Sequence, residues 1–383
     1  YPNIREFCRD LRLARQSFSS AASFWRGAAL GLFAGVGICA ALALSGAVKL
    51  TPAKAMPDDG APQQAAVLPA VEQPATFESP EIERAVRAQL GFDTKTPLYQ
   101  VDLDRVKSLY LFGTETLERW DDVSLYTAYR VDTAYGTIQT LADIPKLRNL
   151  SELAVCNQNI SDVSPLKDMR LIRLALNGNN ISDIAPLSAQ TLLRELFIGH
   201  NPCMKIDVVQ NFPLLQVVDL SATNVYDLTP LSVYTTTLYL NDTPILDYRP
   251  LLSMRSLQTL FLTQSNIDCL DVLSQLNSLT RLEVQNITSI EPVTKLTNLT
   301  NLAFAPALFA SIDGIESLTS LNYFRLNASG NIDLSPLSGI NSLTELDIFA
   351  LDMQDYSVLF QIPNLRIVFC SPEQKAAIEA LGK

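Results

Sequence analysis

Residues 149–190 decide the fold. They read NLSELAVCNQNISDVSPLKDM and then RLIRLALNGNNISDIAPLSAQ. In each half two aliphatic residues stand two apart, Leu153 and Val155, then Leu174 and Leu176. Ile160 or Ile181 follows, and then Pro165-Leu166 or Pro186-Leu187. With the first aliphatic of each pair as a marker, the unit runs through Leu109, Val131, Leu153, Leu174, Leu196, Val218, Leu238, Leu260, Leu282, Leu302, Phe324, Leu346 and Val368, at steps of 20 to 22 residues. A near-constant period of this size is the signature of a solenoid.

The physics of one unit gives the architecture. Alternation over a few residues puts both aliphatics on one face of a short strand. Polar residues then turn the chain. Proline has a fixed φ and no N–H to donate, so it suits the point where the chain leaves extended structure. One unit cannot enclose a core, whereas stacked units share one, with every marker facing inward. Parallel strands about 4.8 Å apart give a ladder roughly 57 Å long over the marker series.

The run Leu171, Leu174, Leu176, Asn179, Ile181, followed by SDIAPL at 182–187, resembles the leucine-rich-repeat family in its 22-residue bacterial, internalin-like form. The resemblance implies an α/β solenoid: a parallel strand ladder, an irregular or 3-10 convex side, and helical caps. It also implies an asparagine five residues after the marker whose side chain bonds the backbone of neighbouring turns. Asn179 and Asn201 keep that residue, and Thr223, Thr243 and Ser265 replace it in part. Ile287, Ala307 and Leu351 cannot replace it, so the C-terminal half is expected to be less regular or less stable. Residues 79–90, SPEIERAVRAQL, have a Ser-Pro helix start and an Ile82, Val86, Leu90 stripe, and read as the N-terminal cap. A strand at 365–369 and a helix at 372–381 read as the C-terminal cap. Residues 120–129 look like an insertion between the first two units.

Ahead of the repeats the chain divides into three parts. Residues 1–26 carry five arginines against Glu6 and Asp10. Their first stretch, YPNIREFCRDL, resembles the last helix of bacterial Ser/Thr protein kinase domains; an amphipathic juxtamembrane helix is the plainer reading. Residues 27–48 carry no charge and, as a helix, are ~33 Å long, enough to cross a ~30 Å hydrocarbon core. The run exceeds the h-region of a cleaved signal peptide, which favours a retained transmembrane anchor. Its basic N-terminal flank places the N-terminus in the cytoplasm and the repeats outside the cell. Gly27, Gly31 and Gly35 form a glycine stripe that lets two such helices approach as a homodimer. Residues 49–78 hold five prolines and read as a linker. The repeat domain then occupies 79–383.

The net charge of −11 argues against nucleic acid as a partner. The six cysteines are scattered with no CxxC spacing, which indicates neither a metal site nor a disulfide framework. His200 is the only histidine, and no Ser/His/Asp set or phosphate loop appears, so neither an enzyme nor a cofactor is expected in this chain. Function then falls to the concave strand surface. The residues after the marker include Phe197, Asp219, Tyr239 and Phe261, and one row over lie Asn241 and Thr263. This set reads as a binding face for a protein or glycan ligand, although aromatics also suit strands by propensity. A further row, Arg173, Glu195, Arg281 and Glu345, reads as a solvated face with cross-strand pairing. The expected function is a membrane-anchored recognition ectodomain, as the sensor of a receptor-like Ser/Thr kinase or, alternatively, as a surface adhesin or envelope scaffold.

Overall fold

The computed structural model describes residues 73–128, 134–264, 270–285, 287–307, 311–328, 332–349, 351, 353 and 355–381. The proposed membrane segment, its glycines Gly27, Gly31 and Gly35, residues 1–26 and most of the linker lie outside the described residues. Among the described residues no helix is long and apolar enough to cross a membrane.

One sheet of 13 strands runs through the described residues. Its strands are β1 (Ser108–Phe112), β2 (Glu115–Thr116), β3 (Glu152–Cys156), β4 (Arg173–Ala175), β5 (Glu195–Phe197), β6 (Val217–Asp219) and β7 (Thr237–Tyr239), followed by β8 (Thr259–Leu262), β9 (Arg281–Val284), β10 (Asn301–Ala307), β11 (Tyr323–Ala328), β12 (Glu345–Asp347) and β13 (Ile367–Phe369). From β3 onward each strand pairs in parallel with the next, marker opposite marker, as in Leu153↔Leu174 and Val218↔Leu238. The chain returns on the far side through short 3-10 turns such as Ser164–Leu166 and Ala185–Ala189, each with proline at its start. The markers and the 3-10 leucines form one continuous core.

The marker Val131 lies outside the described residues. Leu109 pairs directly with Leu153 across β1 and β3, so no strand lies between them. In place of one repeat the chain makes an antiparallel hairpin from β1 to β2 and then a helix, α1 being reserved for the N-terminal cap (Pro80–Leu90) and α2 for this insertion helix (Trp120–Ala128). The chain rejoins the solenoid at Gly136, whose N–H donates to the Asn157 carbonyl. A Cβ there would sit 2.4 Å from the Gly113 carbonyl oxygen.

The N-terminal cap forms as the stripe predicts. Ser79 accepts from the Ile82 N–H, Gly91 closes the helix at φ 74°, and Ile82 and Val86 are fully buried. Ahead of the helix the Ala75 N–H donates to the Leu98 carbonyl, and Phe77 packs on the core. Fully buried Asp143 clamps this entry. Its carboxylate accepts from the Glu78 and Ser79 N–H groups at 2.8 to 3.0 Å and pairs with Lys146 at 2.6 Å.

The far end differs. Helix α3 (Pro372–Leu381) forms but buries none of its residues, and β13 has none buried either. Leu365, Val368 and Cys370 are only partly covered. The helix is held by Gln374 donating to the Ile348 and Leu351 carbonyls and lays half-buried Ile378 against the core end.

The side-chain ladder runs over three rungs, with buried Gln158 accepting from the Ile138 N–H and donating to the Gly113 carbonyl ahead of the two predicted asparagines. Asn179 donates to the Val155 and Leu176 carbonyls and accepts from the Ile160 N–H. Asn201 does the same for Leu176, Ile198 and Ile181. Thr223 and Thr243 each make one bond within their own rung, to Leu220 and Leu240. Farther on, the pairing of β10 with β11 shifts register between Phe304 and Ala307. That is the irregularity expected of the C-terminal half, although its strands are longer than those before them.

Candidate functional site

The concave face carries the residues before and after each marker, and it divides in two. Over β1 to β5 it is covered by the chain itself. Trp120 of α2 lies edge-on to Tyr110, at 6.0 Å between ring centroids, and to Phe197, at 5.7 Å. Around them Phe112, Val123, Ala154, Cys156 and Ala175 complete a second apolar cluster, separate from the solenoid core. The insertion thus covers the concave face over β1 to β5.

Under Trp120 lies a charged network. The indole Nε1–H donates to the Glu195 carboxylate at 2.7 Å. Arg173 joins Glu195 at 2.9 Å to Glu152 at 3.0 Å, and the Tyr110 hydroxyl donates to Glu152. The Arg173 guanidinium also stands 5.8 Å from the Trp120 ring. Burial holds the Glu195 carboxyl above its ordinary range, against the opposing pull of Arg173 and the indole N–H. The expectation of a solvated charge row is corrected here: Arg173 and Glu195 do pair across strands, but Glu195 is 4% exposed, and Glu345, far along the ladder on β12, is 1% exposed.

The predicted ligand residues fall on both sides of the divide. Phe197 is 4% and Asp219 2% exposed. Phe197 reaches Tyr239 across the intervening strand, at 6.4 Å, and so roofs Asp219. Asp219 accepts from Asn177 Nδ2 at 2.7 Å and from the Ser221 N–H at 2.9 Å, and burial raises its pKa. Both side chains are thus buried beneath the aromatic column. Tyr239 and Phe261 are half-buried and stack at 4.5 Å with 7° between their planes. Arg281 stands 5.0 Å from the Phe261 ring. Asn241 accepts from the Thr263 N–H and Oγ1–H, and both side chains are half-buried.

Trp120, Phe197, Tyr239, Phe261 and Arg281 therefore form one column along the ladder. Each ring meets the next, and an arginine closes either end. Beyond the column, over β9 to β13, Glu283 pairs with Arg325, the Tyr323 hydroxyl donates to Asp347 at 3.3 Å, and Phe369 stands edge-on to Tyr323 at 6.4 Å. Phe349 and Phe369 are 63% and 41% exposed. No run of neighbouring aromatics marks this region in the sequence. The signal was present as Glu283, Arg325, Asp347 and Phe369 at the same position of successive units.

Among the described residues no cluster of three His, Cys, Asp or Glu side chains could hold a metal ion. Cys156 is fully buried, which pushes its thiol up to about 12 and makes it inert.

No protein-family model matches the chain, and no curated protein matches it. Solved structures do. An internalin, InlF of Listeria monocytogenes, is 22% identical, with a TM-score of 0.58 over 79% of this chain and 99% of its own. The functional domain of InlJ from the same organism, described as including a cysteine ladder, is 22% identical, with a TM-score of 0.51 over 75% of this chain and 58% of its own. The chain folds as a leucine-rich-repeat solenoid of the internalin kind.

Proposed function

We propose that this chain is a recognition module that binds a protein ligand through the concave face of β7 to β13. The observation that carries the reading is the division of that face. Half is filled by the chain's own insertion, and the other half presents Tyr239, Phe261, Arg281, Arg325, Phe349 and Phe369 to solvent in whole or in part. Aromatic and arginine side chains in a polar surround are the composition of protein contact surfaces. A glycan would stack on ring faces, and the column uses those faces internally, so ring edges are what it offers.

The uncharged run at 27–48 supports an anchored module with the repeats outside the cell. The kinase-like stretch at 1–11 supports a sensor that reports binding to a cytoplasmic kinase domain; without such a domain the module is an adhesin. No catalysis is assigned to this chain.

The test is site-specific photocrosslinking in the full chain on cells. A benzophenone residue at Phe261 is expected to capture a protein, and one at Asp355, an exposed turn residue on another face, is not. Equal capture from both positions would remove the concave-face reading.

A further inference from the structure

The insertion shows what this face accepts, and the open half repeats the same chemistry without a cover. The covered network consists of Glu152, Arg173 and Glu195, a net charge of −1, with Tyr110 donating to one carboxylate and the Trp120 indole to the other. The open network consists of Glu283, Arg325 and Asp347, also a net −1, with Tyr323 donating to Asp347. Phe197 flanks the first on the strand side, and Phe349 and Phe369 flank the second. The open set sits one row over on its strands, after the marker rather than before it.

The two sets differ in how the arginine is used. Arg173 uses both Nε and Nη1 on carboxylates, whereas Arg325 reaches Glu283 through Nη2 and its buried Nε has no acceptor. Arg325 thus pairs with one carboxylate only, and Asp347 is left to donors, the Tyr323 hydroxyl and the Phe349 N–H among them. A negative site flanked by aromatic rings takes a group that is apolar, planar and a hydrogen-bond donor, and the chain's own solution is an indole.

Building on the reading of the concave face above, we propose that the surface formed by Glu283, Tyr323, Arg325, Asp347, Phe349 and Phe369 binds a polypeptide segment carrying a tryptophan. The indole N–H donates to the Asp347 carboxylate, and the ring packs on Phe349 and Phe369. The insertion is thus an internal copy of the ligand chemistry, fixed on the first network by its tether.

The experiment uses a labelled synthetic peptide with the sequence of residues 115–128, ETLERWDDVSLYTA, titrated by fluorescence anisotropy into the full chain in detergent. Binding is expected. Exchanging the peptide's tryptophan for alanine weakens it at least tenfold, and Phe349→Ala with Phe369→Ala in the protein does the same. Those two phenylalanines are exposed, so their loss leaves the fold intact, which is checked by the unfolding midpoint. Absence of binding, indifference to the tryptophan, or loss of binding in Glu195→Gln with none in Phe369→Ala would overturn the proposal. So would a neutral oligosaccharide that binds in the peptide's place and is blocked by Phe369→Ala. Photocapture at Phe261 separates the two levels: capture there without peptide binding removes this inference alone, and no capture removes the recognition reading beneath it.

Discussion

At the scale of single residues, the turn after each strand sets a backbone demand that the sequence meets unevenly. The residue four after the marker is left-handed in successive rungs: Asn157 at φ 52°, Gly178 at 67°, His200 at 55°, Ala222 at 51°, Asp242 at 55° and Gln264 at 57°. Glycine, asparagine and aspartate tolerate this region, whereas alanine is strained there by ~1–2 kcal/mol. Ala222→Gly is therefore expected to stabilise the domain by ~0.5–1 kcal/mol, after the extra unfolded-state entropy of glycine is set against the relief of strain. Denaturant unfolding of the two chains checks it, and an unchanged or lower midpoint would refute the strain argument.

The buried carboxyls make a second residue-scale statement. Glu195 and Asp219 have raised pKa values in the folded state because burial penalises their charge. Between the unfolded value, 4.5 for Glu195, and the raised folded value, the native state binds more protons than the unfolded one. Stability should then increase as pH falls from neutrality toward that value. Below it the trend reverses. Asp93, Asp247, Asp333 and Asp355 are held below the ordinary range by bonds from Thr96, Arg249, Ser335 and Ser357, and their contribution is lost on protonation. A stability–pH series should show a maximum in mild acid, and Glu195→Gln with Asp219→Asn should flatten the limb between that maximum and neutrality.

At the scale of elements, two devices hold the N-terminal half. Asp143 is fully buried and ties the entering chain to the core through two backbone N–H groups and Lys146. Asp143→Ala leaves those donors and the lysine unpaired and is expected to cost ~2–4 kcal/mol, measured by equilibrium unfolding. The insertion depends on Trp120 in the same way. Trp120→Ala removes its ring contacts and the bond to Glu195, worth ~3–5 kcal/mol, and is expected to release residues 115–128 from the concave face as new sites of limited proteolysis. Unaltered cleavage would show that β2 and α2 dock without it.

These elements also mark where sequence reasoning succeeds and stops. The rungs were legible because every marker from Leu153 to Val368 obeys the same inward demand, and the cap because Ile82 and Val86 repeat at helical spacing. Leu109 and Leu153 pair directly although two repeat lengths separate them, so the insertion keeps the register and periodicity alone cannot tell a rung from its replacement. Phe197 and Asp219 were placed correctly on the concave face but read as accessible, because no pattern within the repeats announces that Trp120 folds back over them. That contact is long-range, and only the chain's three-dimensional course supplies it.

At the scale of the whole molecule, a solenoid's stability is close to a sum of its rungs and of the interfaces between neighbours, so its ends need not be equal. The N-terminal end is closed by α1, clamped at Asp143, roofed by the insertion, and followed by the two asparagine rungs at Asn179 and Asn201. The C-terminal end has none of these. Leu365 and Val368 are half-covered where their counterparts Leu215 and Val218 are fully buried, and α3 contributes no buried residue. Opening should therefore start at β13 and proceed backward, since each lost rung exposes the next one while the rest stays folded. Native-state hydrogen exchange on the full chain should give amides of β12 and β13 an opening free energy well below the global value, and those of β3 to β6 a value equal to it. Val368→Ala should accordingly cost about half of what Val218→Ala costs, because only the second removes a side chain packed on both sides. Uniform protection along the ladder, or equal penalties at the two valines, would mean that the last rung is as well enclosed as the middle ones. Exposure at the C-terminal end would then not be a guide to its stability.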